Sequence, residues 1–504
     1  MAQDVGAAPN PRLRADANLL SRLDRAPITR ALKVGIGVLI LVWLIESFDI
    51  GIVSTLILIL KPHWHLDSTQ TGLLGSSGTI GLVIGIIPAG RLADKFGRKT
   101  VLLVGTAEFA VFTMLAAVAH SFWPLFVFRI IAGLGEGALF PVPYMIISEL
   151  VAKRLRGTVM GYAQWVLNGG YTLPALVGLW VVGAFPVDWS WRVPLLLGGF
   201  PLLLLPALIK WVPETPRFLL KRAALKGRAA DREKVRALVE RIEDEAGLPH
   251  DTSLVDAGAF HVLTATASRD VRIRTLARPP YLSRSLIAYA ALTSSFVIWY
   301  TMLTYAPSIF KGLLHATPGR ALAYTAIMMF ISAFGCFYQG RWADRFGRRR
   351  TFGVYIVLAA IGMVLLPSYS VLGASAAIVA GVLIAWFGLG SFPVSKMYMA
   401  EQYPTRLRGL GTSTGEMISR ATTGGILVYF LPSLFASLGV AAVFISAAVV
   451  MVLLALPMAL RGRETVGRNM EELGTELADV PAAASTAPAS TPPAAQPGTA
   501  PTVQ

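Results

Sequence analysis

Glu46 and Asp49 stand three residues apart inside an apolar run at residues 34–60. That spacing puts both carboxyls on one face of a helix. Side by side in a poorly hydrated place they cannot both ionise easily, and they exchange protons as a pair. A proton carrier needs that property; a structural hydrogen-bonding pair is the plainer role. Arg129 and Glu136, seven apart in another apolar run, also share a face. The planar fork of Arg129 suits a substrate carboxylate, and pairing with Glu136 or Glu46 is equally open to it. Glu416 and Arg420 are four apart and can pair within a helix, in which case Arg420 is not free for an anion. Lys396 and Glu108 each need a counter-charge or a wet cavity, because an ionisable group at the centre of a span costs roughly 2.5–3.5 kcal/mol on insertion scales.

The elements that must position these groups are membrane helices. Of the 504 residues, 54% are hydrophobic and 15% charged, against about 45–50% and about 25% in soluble domains. With roughly 20 residues per span, the chain has room for twelve. The expected fold is an all-α membrane protein with twelve transmembrane helices in two pseudo-symmetric six-helix halves. Residues 1–33 read as a cytoplasmic leading segment without a signal peptide, 34–210 as the first half, 211–284 as a charged cytoplasmic linker, and 285–460 as the second half. Residues 461–504 read as a cytoplasmic tail, disordered after about 477 where Ala, Pro, Thr and Ser dominate. The net charge of +16 lies in loops and tails and follows the positive-inside rule, so it does not indicate nucleic acid. The single cysteine, Cys336, allows neither an internal disulfide nor a cysteine metal site. His63, His65, His120 and His315 fall in or near outer turns with no acidic cluster around them. No cofactor and no metal are expected, and the partners are a small-molecule substrate, protons and the lipid bilayer around a monomer.

The run Gly90-Arg91-Leu92-Ala93-Asp94-Lys95-Phe96-Gly97-Arg98-Lys99 returns as Gly340-Arg341-Trp342-Ala343-Asp344-Arg345-Phe346-Gly347-Arg348-Arg349, 250 residues later. A repeat of that period describes two similar halves. The pair resembles the loops between helices 2 and 3 and between helices 8 and 9 of the major facilitator superfamily of transporters. A second repeat supports it: Glu149 precedes Arg156-Gly157 as Glu401 precedes Arg408-Gly409. The resemblance implies a gating charge network of Asp94, Arg98, Glu149, Arg156, Asp344, Arg348, Glu401 and Arg408, holding the halves together when the outside is open. The rival reading is eight solvated interfacial charges.

Two branches of the superfamily compete. Pro213-Glu214-Thr215-Pro216-Arg217 resembles a sugar-porter signature, but its partner reads Arg463-Glu464-Thr465-Val466-Gly467, without the proline and the lysine. Helix 7 reads Thr293-Ser294-Ser295-Phe296-Val297-Ile298-Trp299-Tyr300, where sugar porters usually carry a glutamine pair and an asparagine. The lead-in Leu19 to Arg30 resembles that of metabolite–proton symporters, its bland alternative being an amphipathic helix on the membrane surface. The acid-x-x-Asp spacing of Glu46 and Asp49 is similar to helix 1 of aromatic-acid symporters, with Glu46 and Ser47 as departures. The expected function is proton-coupled symport of a small organic or aromatic carboxylate by alternating access, in the inner membrane with both termini cytoplasmic. Glu46 and Asp49 are the expected proton carriers. Arg129, Glu136, Gln164, Asn168, Trp299, Tyr300, Lys396, Glu416 and Arg420 are the expected cavity residues, with Trp165 and Trp386 as further aromatic candidates. A sugar porter, supported by Gln164 and Asn168, and a ligand sensor without turnover are the alternatives. An enzyme is disfavoured, since no nucleophile–base–orienter set or metal cluster appears.

Overall fold

The computed structural model describes residues 11–255, 273–279, 281–403 and 405–465; the expected disordered tail lies outside them. Every regular element among them is helical. Ten stretches are long and apolar enough to cross a membrane. One of these, Leu407–Arg461, is two spans turned at Gly439, whose φ of 79° suits glycine. Arg348–Leu365 completes the twelve.

In chain order, helix 1 is Arg30–His63, helix 2 Ser68–Phe96, helix 3 Arg98–Ala116, helix 4 Phe122–Leu150, helix 5 Arg154–Ala184 and helix 6 Val187–Trp211. In the second half, helix 7 is Tyr281–Leu313, helix 8 Pro318–Phe346, helix 9 Arg348–Leu365 and helix 10 Ala374–Glu401. Helices 11 and 12 share Leu407–Arg461. Helix 1 is longer than the apolar run because Thr29 accepts from the Leu32 amide and caps it early. Helix 4, expected to be continuous, is broken at Phe140 into Phe122–Leu139 and Pro141–Leu150, since Pro141 cannot donate back into the preceding turn. Outward faces carry exposed Ile87, Val104, Leu203, Phe330, Val449 and Leu453, an apolar surface that lipid rather than water accommodates.

Both repeat loops close in the same way. Helices 2 and 8 stop at Gly97 and Gly347, with φ of 106° and 96°, values open to glycine without strain. The amides that open the next helix are capped by a carboxylate from far along the chain. Glu214 Oε1 accepts from the amides of Arg98 and Lys99 at 3.0 and 3.3 Å. Glu464 accepts from those of Arg348 and Arg349 at 2.9 and 3.3 Å. Glu464 therefore does the work of Glu214 although its surroundings lack the proline.

At the end opposite these basic loops the two halves touch closely. A methyl group on Gly72 would sit 2.0 Å from the Tyr429 carbonyl oxygen, and one on Gly178 would sit 3.1 Å from Leu322. At the basic end the ion pairs run within each half. The leading helix Pro11–Arg25 does not lie free on the membrane surface. It docks on the linker helix Ala229–Ala246 through the buried pair Arg22–Glu243, the 2.7 Å pair Asp16–Arg232, and bonds from Asn18 to the carbonyls of Asp251 and Leu254.

Candidate functional site

Helix 1 carries Glu46, Ser47 and Asp49 at no more than 1% exposure. Asp49 receives two hydrogen bonds from Nη1 of Arg129, at 2.7 and 2.8 Å, in a pair that solvent does not reach. Helix 4 approaches close enough for this through glycine. Methyl groups on Gly81, Gly85 and Gly133 would sit 2.1–2.3 Å from the backbone carbonyl oxygens of Ile130, Leu134 and Gly78, so helices 2 and 4 pack backbone to backbone. Gly133-Leu134-Gly135-Glu136-Gly137 is thus a packing face. Arg129 lies beside Gly78, with Nη2 3.1 Å from where a β-carbon there would be. The pairing of Arg129 with Asp49, rather than with Glu136 or Glu46, resolves the alternatives its spacing left open.

Glu46 and Glu136 are as buried as Asp49, yet no donor among the described residues reaches either oxygen of Glu46 or Oε1 of Glu136. In the second half, Glu416 of helix 11 is held between Lys396 at 2.8 Å and Arg420 at 3.1 Å. The first gives Lys396 the counter-ion it required. The second is the local i, i+4 pair, and Arg420 also donates to the Tyr300 hydroxyl at 3.2 Å. Both cations lean on one ring: Lys396 Nζ is 4.4 Å and the Arg420 guanidinium carbon 4.2 Å from the centroid of Phe140, at the break in helix 4. The first half thus supplies an aromatic face to two cations of the second.

Wide helical turns help to place them. Ile384–Gly388 precedes the turn carrying Lys396, and Ala421–Leu427 follows Arg420 directly; single π-helical turns of this kind gather at functional sites. The wall is aromatic. Trp299 meets Tyr171 edge-on at 5.0 Å across the two halves and stacks on Phe392 at 6.1 Å. Trp43 meets Tyr144 at 4.1 Å, and the Tyr144 hydroxyl donates to Gln164 at 2.6 Å. That leaves Nε2 of Gln164 and Nδ2 of Asn168, four residues apart on helix 5, buried without an acceptor among the described residues. Trp386 stacks instead on Tyr338 of helix 8 at 5.5 Å, and Trp165 is 44% exposed, so neither joins this wall. Phe140, Trp43, Tyr144 and Phe392 were not singled out from the sequence; the Phe-Pro step at 140 and 141 is the signal that could have marked the first.

The remaining expected residues form two copies of one triad. Arg98 bridges Asp94 at 2.9 Å and Glu149 at 3.4 Å, as Arg348 bridges Asp344 at 2.5 Å and Glu401 at 3.4 Å. Arg156 and Arg408 instead donate to the carbonyls of Val151 and Ala400, at 3.1 and 3.2 Å. In this arrangement each network ties elements of one half. Glu108, on helix 3, remains without a partner for Oε2 among the described residues. No group of histidine, cysteine and acidic side chains among them could hold a metal ion.

A cluster of buried acids, cations and aromatic rings thus forms where the two six-helix halves meet. Residues 37–477 match the family model described as Sugar (and other) transporter. The niacin transporter NiaP of Acinetobacter baylyi is 27% identical over 91% of this chain and 100% of its own. The gallate transporter of Pseudomonas putida is 26% identical over 86% and 94%. A crystal structure of a D-xylose-proton symporter, 22% identical, aligns with a TM-score of 0.66 over 87% of this chain and 99% of its own. The inward-open xylose transporter XylE from E. coli, 20% identical, gives 0.69 over 88% and 98%. The shared fold and the family match together make this chain a multi-pass membrane transporter rather than an enzyme, a member of the Sugar (and other) transporter family within the major facilitator superfamily.

Proposed function

We propose that the protein moves a small planar organic carboxylate together with protons, by alternating access. The observation that carries this is the convergence of Lys396 and Arg420 on the ring of Phe140, with Glu416 neutralising a single charge between them. One positive charge is left for an anion, and the ring beside it suits a flat partner. The unmet amide donors of Gln164 and Asn168 add places for substrate oxygens. The relatives named for niacin and gallate transport, both aromatic acids, support the same class. Helix 1 supplies the proton-coupling face. Glu46 takes the proton, and Asp49, clamped by Arg129, keeps the fixed charge beside it.

The basic loops and both termini face the cytoplasm of a cell whose inner membrane holds the protein as a monomer. The structure is then closed to the outside. Asp94, Arg98, Glu149 and Arg156, with Asp344, Arg348, Glu401 and Arg408, bias the rocking of one half against the other at the cytoplasmic seam. Proteoliposome uptake under an imposed pH gradient, with niacin, gallate and xylose as probes, tests the reading. Accumulation of an acid that collapses with a protonophore is the expected result. Accumulation of xylose with neither acid taken up would replace it with a sugar porter.

A further inference from the structure

One proton carrier suffices for the proposed symport, but the buried cluster contains two carboxyls of the same kind. Glu46 and Glu136 come from different helices and are exposed by 0% and 1%, and among the described residues both oxygens of Glu46 and Oε1 of Glu136 have no hydrogen-bond partner. The titratable groups that face Glu46 are Arg420, Lys396, Glu416, Asp49, Glu136, Tyr144 and Tyr171; those that face Glu136 are Asp49, Glu46, Arg129, Arg420, Tyr171 and Tyr300. The cations among them are already engaged. Arg129 bonds both oxygens of Asp49, while Lys396 and Arg420 grip Glu416. A carboxylate with neither solvent, donor nor unengaged cation is not held ionised, and it takes a proton instead.

We propose that Glu46 and Glu136 each carry one proton through the transport cycle, so that each carboxylate anion travels with two protons. This deepens the carboxylate–proton reading and rests on it. The charge count supports the ratio. Three cations, Arg129, Lys396 and Arg420, face four acids, Glu46, Asp49, Glu136 and Glu416. With both unpartnered carboxyls ionised, the cluster is negative by one charge and repels an anion. One proton makes it neutral. Two make it positive by one charge, which a single monocarboxylate then cancels. Loading therefore takes up two protons and one anion, unloading returns them on the other side, and each turn moves one net positive charge. Arg129 and Asp49 keep their mutual bond through these steps.

Two measurements on the full-length protein test this. The first needs no substrate. Infrared spectra of the reconstituted wild type at neutral pH should show the carbonyl band of protonated, buried carboxyl groups, and Glu46→Gln and Glu136→Gln should each remove part of it. An amide has the shape and charge of a protonated acid, so both variants are expected to fold. A spectrum unchanged in either variant overturns the proposal. The second is the reversal potential of labelled nicotinate flux in proteoliposomes. The wild type should give two protons and one net charge per nicotinate; either variant should give one proton and no net charge. A wild-type ratio of one overturns the two-proton cycle and leaves proton symport standing. Absence of any proton-driven nicotinate flux counts against the proposed substrate class, and the infrared result then decides the protonation of the two acids by itself.

Discussion

Asp49 of helix 1 and Arg129 of helix 4 meet at 2.7 Å where neither is more than 1% exposed, and this one pair decides the state of the acids around it. By occupying Arg129 it leaves Glu136 without an ion-pair partner among the described residues, while Glu416 occupies the two cations that face Glu46. Removing one partner of a buried ion pair exposes the other as an uncompensated charge, at a cost of about 3–5 kcal/mol. Arg129→Gln should therefore lower the thermal midpoint of the purified protein sharply, and adding Asp49→Asn should recover part of the loss. If the double variant is no more stable than Arg129→Gln, the pair is not what holds helices 1 and 4 in register.

Asp49→Asn alone should act on coupling. It releases Arg129, whose field already reaches Glu136, and Arg129 then holds that carboxyl ionised. Coupling should fall to the one proton that Glu46 still carries, so uptake driven by membrane potential alone should vanish while a pH gradient still drives a reduced accumulation. Proton-driven accumulation at the wild-type level in this variant would remove Asp49 from the coupling face.

Arg420 is predicted to bear most of the anion affinity. A charge-assisted hydrogen bond contributes about 1.5–3 kcal/mol, so Arg420→Ala should raise the half-saturation concentration for a carboxylate about 10- to 100-fold. Arg420→Lys should recover some of it, limited by the loss of the planar fork and of its contact with Phe140. The methyl ester of the same acid should bind both variants alike. Equal weakening for acid and ester would mean that Arg420 is structural.

Glu214 and Glu464 cap helices 3 and 9 with matching geometry. Loss of such a cap costs typically about 1 kcal/mol. Glu214→Ala and Glu464→Ala should lower the thermal midpoint by similar amounts, with the glutamine variants falling between, because glutamine keeps an acceptor and loses the charge that favours a helix start. A large loss for Glu214→Ala and none for Glu464→Ala would show that the missing proline matters more than the carboxylate.

In the linker, Arg222 donates two 2.7 Å hydrogen bonds to Asp231 and holds that carboxyl below its ordinary range. A depressed carboxylate contributes stability that is complete above the usual aspartate range and is lost as pH falls through the lowered value. Arg222 is 25% exposed, so solvent screening keeps the contribution to about 1 kcal/mol or less. The gap in thermal midpoint between wild type and Asp231→Asn should be open at neutral pH and close on acidification. A gap that stays constant from neutral to acid pH would assign it to shape rather than charge.

The legible parts of the site were those written in short spacing. Glu416 and Arg420 pair as their four-residue separation allows. The glycines of helix 4 pack against helix 2 as small residues in a span should. Arg129 shows the limit. Its spacing from Glu136 puts both on one helix face, yet its hydrogen bonds go to Asp49, 80 positions away in the chain. Lys396 had no partner within its own helix and found one on the next. Glu464 lost its proline context and kept its role, because the Gly347 turn presents helix amides to whatever carboxylate lies there.

By itself the sequence determined how many times the chain crosses the bilayer, that its halves are copies, and which side chains are costly enough in lipid to need a reason. Those properties depend on hydropathy and repetition, which are local and additive along the chain. Tertiary structure alone decided which acid meets which cation, that Phe140 serves two cations at once, and that Glu46 and Glu136 are left without an ion pair among the described residues. Those outcomes depend on how each helix is rotated about its axis and how near its neighbours come, and packing among twelve helices sets both together.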